Sequence, residues 1–335
     1  MRPFAYATPP DAREAVLAVA ERPDASFLAG GTNIVDHLRL GVATPGLLVD
    51  VTALTSAEIE DLPDGGLRIG AAVRNSDLAA DHRVRARYPV LAQALPSGAS
   101  GQLRNMATTG GNPLQRTRCV YFQDVTTPCN KREPGSGCAA IGGATRNHAI
   151  LGASEHCIAT HPSDMAVALA ALDAQVQVLG PDGDRTIPFT DLHTLPGSTP
   201  EHDTVLGHGD LITAIDVPAL PLATRSRYRK VRDRASYAFA LVSVAACLDV
   251  ADGEVHDVRI ALGGVAHKPW RAHRAEEALR GAPATDESYR AAAEAALTDA
   301  LPQEGFDGGN AFKIPLLTGT LVSTLRELAG EETRT

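Results

Sequence analysis

Ser26-Phe27-Leu28-Ala29-Gly30-Gly31-Thr32-Asn33-Ile34-Val35-Asp36 is the stretch of this 335-residue chain that says most about its fold. Ser26 to Ala29 reads as a short strand, and Ile34 to Leu40 has the apolar spacing of a helix. Two glycines between them allow positive φ and a close backbone approach to a ligand. A helix start beyond such a turn offers N–H groups and a partial positive charge, which suits a pyrophosphate. Thr32 and Asn33 can add side-chain hydrogen bonds. The same residues also fit a tight strand-to-helix turn with no ligand. A second loop, Thr108-Thr109-Gly110-Gly111-Asn112, has the same character. Two such loops are suited to gripping both ends of one extended dinucleotide, or are again plain turns.

Outward from the first loop, Asp11 to Ala20 has helical spacing and Leu47 to Val51 reads as a buried strand. A second segment opens near Leu67–Ala71. It continues with a helical pattern over Asp77–Ala94 that Pro89 interrupts. After a long irregular stretch it resumes with a helix over Asp164–Ala174, capped by Ser163, and a strand over Gln175–Leu179. A third segment follows Pro218–Thr224. Ser226–Val231, Phe239–Val250 and Val255–Leu262 read as strands, with a hairpin turn at Asp252-Gly253. Helical stretches at Arg271–Arg280, Glu287–Leu297 and Ile314–Leu328 complete an antiparallel sheet with helices on one face. The class is α+β, with boundaries expected at 1–56, 57–222 and 223–335.

Composition removes several functions. The formal net charge is −9, and no basic stripe offers a nucleic-acid surface. The longest mostly apolar run, Ala238 to Leu248, is about half of the roughly 20 residues a bilayer requires, so no membrane span is expected. Met1 to Tyr6 lacks the charged and apolar regions of a secretory signal. A cytoplasmic chain is expected, or a periplasmic one if a signal-bearing partner carries it across. No Gly-Lys-Ser/Thr ends a P-loop. Gly135-Ser136-Gly137-Cys138-Ala139-Ala140 has dinucleotide-fingerprint spacing, but Lys131-Arg132-Glu133-Pro134 stands where a buried strand is required. No catalytic acid, base or nucleophile constellation stands out. His161 and Asp164 flank Pro162 at a helix entry, and His256, His267 and His273 read as surface or turn residues.

Four of the five cysteines, Cys119, Cys129, Cys138 and Cys157, fall within 39 residues, with gaps of nine, eight and eighteen. These gaps match neither bacterial ferredoxin nor zinc-finger spacing. The loop carrying them has few apolar residues and cannot order itself by burial. Four thiolates on a metal centre would order it, because binding energy becomes folding energy. Iron–sulfur, zinc with a histidine substituting for a cysteine, and unliganded thiols all remain open on the residues alone. Arg116, Arg118, Lys131, Arg132 and Arg146 would offset a cluster's negative charge or face an acidic partner. Cys247, in an apolar run, reads as a small core residue.

Ala29-Gly30-Gly31-Thr32-Asn33, Ala107-Thr108-Thr109-Gly110-Gly111-Asn112 and Pro162-Ser163-Asp164, in this order and spacing, resemble the FAD-binding subunit of the xanthine dehydrogenase and carbon monoxide dehydrogenase family. The resemblance covers the whole chain. It implies a two-subdomain FAD-binding fold of the vanillyl-alcohol-oxidase/CO-dehydrogenase flavoprotein type, followed by the family's C-terminal domain. The insert from Arg116-Thr117-Arg118-Cys119 to Glu155-His156-Cys157 is similar to the aldehyde oxidoreductase branch, whose flavin subunit carries an extra [4Fe–4S] cluster. Cys119, Cys129, Cys138 and Cys157 would then be its ligands, in a loop spanning 113–160. Leu28, Ala29, Gly30, Gly31, Thr32, Asn33, Ile34, Val35 and Asp36 would cradle the FAD pyrophosphate. Thr108, Thr109, Gly110, Gly111 and Asn112 would form the second clamp, and Asp164 would hydrogen-bond the cofactor. Ile212 and Lys230 fall at the family's flavin-ring contacts, and Gly98-Ala99-Ser100 lies near the ring but offers no aromatic.

The implied function is electron transfer. A large molybdenum-cofactor subunit would oxidise an aldehyde, a small subunit with [2Fe–2S] centres would relay electrons to this FAD, and an external acceptor would receive them. The alternatives are a related hydroxylase of an N-heterocycle or aromatic acyl-CoA, a free-standing flavin oxidoreductase, and a zinc-stabilised scaffold without flavin.

Overall fold

The computed structural model describes residues 1–330, and three sheets follow one another along it. The first is parallel, in the order Ala5–Ala7, Leu47–Asp50, Ala25–Leu28. Helix Ala12–Ala20 covers it with Ala15, Val16 and Val19, which share one helical face. Asp11 caps that helix by accepting from the Glu14 N–H at 2.9 Å.

The second sheet is antiparallel, in the order Ile59–Asp61, Leu67–Gly70, Leu211–Val217, Gln175–Gly180, Gly183–Pro188. Its central strand, Leu211–Val217, has no clean alternation in sequence. A register shift at Gln177/Val178 on the neighbouring strand locally breaks the pairing pattern. The helical pattern expected over 77–94 forms three short helices, Asn75–Ala80, His82–Arg87 and Pro89–Ser97. Asp81 leaves the helical region at ψ 129° and accepts from the N–H groups of Arg83 and Val84, so it ends one helix and caps the next. Pro89 opens the third helix, where a missing N–H costs nothing.

The third sheet is antiparallel, in the order Trp270–Arg271, Glu254–Gly263, Val242–Ala251, Ser226–Val231. Asp252 and Gly253 both take positive φ, 53° and 78°, as a two-residue hairpin turn requires. Two expectations need correction here. The strand expected from Phe239 begins only at Val242, and the preceding residues form a loop. The sheet is also covered on both faces. Val242, Val244, Ala246 and Leu248 meet helices His273–Leu279, Asp286–Ala296 and Lys313–Leu328. Ala245, Cys247, Ala261 and Tyr228 meet the core around helices Pro89–Ser97 and Asp164–Ala171. Burial on both sides explains why the run Val242–Leu248 is almost wholly apolar. Cys247 is a core residue with no exposure.

Helix Asp164–Ala171 is buried at every position and joins the second and third sheets. Ser163 caps it by accepting from the Ala166 N–H at 3.0 Å. Arg271 closes its other end, donating to the Ala170 carbonyl at 2.7 Å and pairing with Asp173 at 2.6 Å. Glu276, 1% exposed, holds Arg271 and accepts from the Ile260 N–H at 2.7 Å. Among the described residues no helix is long and apolar enough to cross a membrane.

Removing one partner of a buried pair strands the other charge, at a cost of about 3–5 kcal/mol. Glu276→Ala should therefore lower the unfolding free energy from a denaturant titration by that order, while Glu277→Ala, at an exposed position, leaves it unchanged.

Candidate functional site

Residues from the first two sheets and from the loop before Val242 line one cavity of about 660 Å³. Both glycine loops open onto it. A Cβ on Gly30 would stand 2.0 Å from the Met106 carbonyl oxygen, so the first loop lies directly against the chain entering the second. A Cβ on Gly110 would stand 2.7 Å from Ala71. These two glycines are set by chain against chain. Gly31, at φ +74°, supplies the left-handed turn.

Ala29, Gly30, Gly31, Thr32, Asn33, Ile34 and Asp36 line the cavity, while Leu28 and Val35 pack behind the turn. Thr108, Gly110, Gly111 and Asn112 line it from the other side. Thr109 turns away, its hydroxyl donating to the Val73 carbonyl at 3.0 Å. Asn112 donates to Asn75 Oδ1 at 2.7 Å, which fixes the second loop to the Asn75–Ala80 helix. Ile212 and Asp164 complete the wall, with Gly98 and Ala99 beside them. Lys230 does not line the cavity. Its ammonium donates to Asp164 Oδ2 at 2.8 Å and to the Ser97 carbonyl at 2.9 Å. The Tyr228 hydroxyl donates to Asp164 Oδ1 at 2.5 Å. Burial and the Asp164 charge raise Tyr228 well above its ordinary range, so it stays a donor.

Two buried donors in this wall, Asn33 Nδ2 and Arg118 Nε, have no partner among the described residues. Unmet buried donors are costly, and facing a cavity they fit an anionic ligand such as a pyrophosphate. The residues present therefore fit FAD. Sequence reasoning missed the contribution of Arg234, Tyr237, Ala238 and Phe239, which close the cavity from the loop between the third sheet's first two strands. Tyr237 holds φ 52°, and Arg118 lies 5.2 Å from the Phe239 ring centre. The signal was the aromatic pair itself, with Phe239 hidden in what read as a strand.

The cysteine loop is held differently from expectation. It buries Phe122, Ala149, Ile150, Leu151 and Ile158. The segment from Leu301 to Lys313 clasps it. Gly305 bridges Gly142, and Leu301 N–H donates to the Ile150 carbonyl at 2.7 Å. Asp307 accepts from the N–H groups of Thr145 and Arg146, and Asn310 donates to the His148 carbonyl at 3.0 Å. The clasp is remote in sequence, so the loop read as unsupported. The basic residues are largely engaged as well. Arg116 and Lys131 pair with Asp203, Arg146 pairs with Asp233 at 2.8 Å, and Arg132 donates to the Tyr121 and Phe122 carbonyls. Burial pushes Asp203 up, but Lys131 and Arg116 overrule it and hold it well below the usual carboxylate range.

The four thiols are free, and the backbones of Cys129 and Cys138 pair side by side as antiparallel neighbours. Burial pushes Cys119 up to about 12 and Cys157 to about 11, and both also feel neighbouring thiols of the set. His148 Nε2 stands 3.2 Å from Cys119 Sγ. Among the described residues no three His, Cys, Asp or Glu side chains converge on one ion site. The expected metal set of Cys119, Cys129, Cys138 and Cys157 is thus not gathered around a point, and the zinc alternative loses its basis. Beside the loop, His161 and His193 both donate Nε2–H to the Pro113 carbonyl, at 3.0 and 2.8 Å. His267, expected as a surface or turn residue, lies in a bend but is 5% exposed. Burial lowers His193 to about 3 and His267 to about 4.

Known proteins agree with this geometry. Residues 2–220 match the FAD binding domain in molybdopterin dehydrogenase, and residues 226–328 match the CO dehydrogenase flavoprotein C-terminal domain. The chain is 52% identical to the aldehyde oxidoreductase FAD-binding subunit PaoB of Escherichia coli K12, over 98% of each chain. It belongs to the FAD-binding subunits of the molybdenum hydroxylases. This family member is 26% identical to the glyceraldehyde dehydrogenase medium chain of Sulfolobus acidocaldarius, over 97% of this chain and 98% of that one. Its fold superposes on carbon monoxide dehydrogenase from Hydrogenophaga pseudoflava lacking the Mo-pyranopterin moiety, with a TM-score of 0.76, 27% identity and 99% of each chain covered. Like these relatives, it is an oxidoreductase flavoprotein subunit.

Gly30→Ala should force the two glycine loops apart and reduce FAD affinity by at least tenfold, about 1.4 kcal/mol, as read from bound flavin per folded chain. Acid should also destabilise the fold. His193 and His267 have folded values below the unfolded value of about 6.5, so the unfolded state takes up protons first. Stability is full above pH 6.5 and falls towards pH 4, which thermal melts across that window will show. His193→Phe should flatten the fall.

Proposed function

We propose that this chain is the flavin-carrying electron-transfer subunit of a molybdenum-dependent aldehyde oxidoreductase. The observation that carries the reading is the cavity between two glycine loops, with unmet donors on one wall and Asp164 on another. The 52% identity to an aldehyde oxidoreductase subunit supports the substrate class. Bound FAD supplies chemistry that accepts and gives one or two electrons. The chain's own residues bind and orient it. Gly30 and Gly31 bring backbone close to the pyrophosphate, Asn33 and Arg118 donate to it, and Thr108 to Asn112 hold the flavin half. Lys230 and Tyr228 hold the Asp164 carboxylate in place beside the cofactor. The chain works with a large molybdenum-cofactor subunit and a small [2Fe–2S] subunit, and it relays their electrons to an external acceptor.

The same reading assigns a [4Fe–4S] cluster to Cys119, Cys129, Cys138 and Cys157. A cubane takes one thiolate per iron, so its ligands need not converge on one point. Four free cysteines in one clasped loop, three of them within electrostatic reach of Cys119 or Cys157, support it.

The test is the composition of the intact complex, purified anaerobically. One FAD per chain is expected, with iron and acid-labile sulfide beyond what the small subunit holds. Cys138→Ser should lower that excess and loosen the flavin. A folded, FAD-replete complex with no excess iron would remove the cluster, and a folded complex with no FAD would remove the whole reading.

A further inference from the structure

A second cavity, of about 390 Å³, lies beside the cofactor cavity. The cysteine loop, the third sheet and the loop before Val242 enclose it. Arg118, Pro162, Asp164, Arg234, Ala238 and Phe239 line both cavities, so one layer of residues divides them. Of the four clustered cysteines only Cys119 reaches its wall, so the space is not that of a metal centre.

The dividing loop is pinned in place. Arg232 donates to the Ser97 carbonyl at 3.2 Å, and Arg234 Nε donates to the Tyr237 carbonyl at 3.0 Å. Tyr237 holds a positive φ of 52°, which a bulky side chain rarely adopts. Such a residue points to a function for the loop that carries it. Phe239 stays 48% exposed, with free ring surface for a planar neighbour.

Size and chemistry narrow the occupant. The second cavity has little more than half the volume of the first, about 660 Å³, so it has room for one or two rings and not for a second dinucleotide. Its carboxylates are already engaged: Asp164 by Lys230, Asp233 by Arg146, and Asp307 by the N–H groups of Thr145 and Arg146. Arg234 meets no carboxylate among the described residues. It uses Nε and Nη2 on the Tyr237 carbonyl and leaves Nη1 as a free donor. The wall thus combines a guanidinium donor with the apolar surface of Phe239, Pro162 and Val167. A neutral planar ring bearing carbonyl oxygens suits both.

We propose that this second cavity is the site of the external electron acceptor, and that the acceptor is a quinone. The proposal rests on the electron-transfer reading and adds the acceptor's place and chemical class. A quinone takes two electrons and two protons from the reduced cofactor and leaves as the quinol, and aldehyde oxidation replaces those electrons. Arg234 donates to a quinone oxygen, and Phe239 packs against the ring.

The test is equilibrium dialysis of menadione against the intact oxidised complex, alongside its flavin content. Ala240 lines the second cavity and not the first, so Ala240→Leu fills the proposed site alone. It should weaken menadione binding roughly tenfold, about 1.4 kcal/mol, with FAD content and the rate of flavin reduction by aldehyde unchanged. Arg234→Ala should weaken binding by a similar factor and raise the KM for menadione more than it lowers kcat. Ser236→Ala, on the same loop but outside both cavities, should change nothing. Unmoved menadione binding in Ala240→Leu and Arg234→Ala overturns the site. If Ala240→Leu does not fold, unmoved binding in Arg234→Ala overturns it alone. Binding that falls only in step with FAD content overturns it too, because the cavity then belongs to the cofactor. NAD⁺-supported turnover that Ala240→Leu abolishes overturns the quinone class. A folded wild-type complex without FAD overturns the electron-transfer reading, whereas an FAD-replete one that binds no menadione overturns this proposal only.

Discussion

Asp164 accepts from Tyr228 and Lys230 inside the protein, and the placement of the cofactor cavity depends on this buried pair. The Lys230 and Asp164 side chains are 4% and 6% exposed, so each needs the other to avoid an unpaired charge. Lys230 also donates to Ser97, and the pair therefore joins the third sheet, the Pro89–Ser97 helix and the start of the Asp164–Ala171 helix. Asp164 also stands where the helix dipole favours a negative charge. The far end of that helix is closed by Arg271 from the same third sheet. A helix pinned at both ends by one neighbour has little freedom to tilt, and the cavity wall it forms keeps its position.

Against that wall stand two glycine loops whose mutual fit is tighter than ligand binding alone demands. The Gly30 position leaves no room for a Cβ because the Met106 carbonyl occupies it. The first loop is thus shaped by the second, and a cofactor lying between them meets a surface set before it arrives. Preorganisation of this kind spares the ordering cost on binding. Unmet donors at Asn33 and Arg118 on this wall fit an anionic group.

The cysteine loop is supported from a distance. Leu301 to Lys313 supplies donors and acceptors to it, among them the buried Lys313 on the His148 carbonyl, so two segments far apart in sequence form one structure. The cysteine loop and its clasp thus form one connected unit. Lys131 and Arg116 on Asp203, and the histidines on the Pro113 carbonyl, tie the loop back to the second glycine clamp.

Local chemistry made much of this legible in sequence. Gly30-Gly31 between a strand and a helix, Ser163 before an apolar helix, and Asp252-Gly253 between strands each state their conformation within a few residues, because φ preference and capping are local effects. Three features were not local. Lys230 looked like a cavity residue until its pairing with Asp164 placed it behind the wall. Phe239 to Leu241 looked like the start of a strand, because an apolar residue facing a cavity reads like one facing a sheet. The support of the cysteine loop lay about 150 residues downstream. The sequence by itself determined the glycine loops, the caps and turns, and the flavin cofactor. The tertiary structure alone decided which charges are matched and which, like that of Arg234, are not, because pairing across the chain depends on distance in space and leaves no spacing to read.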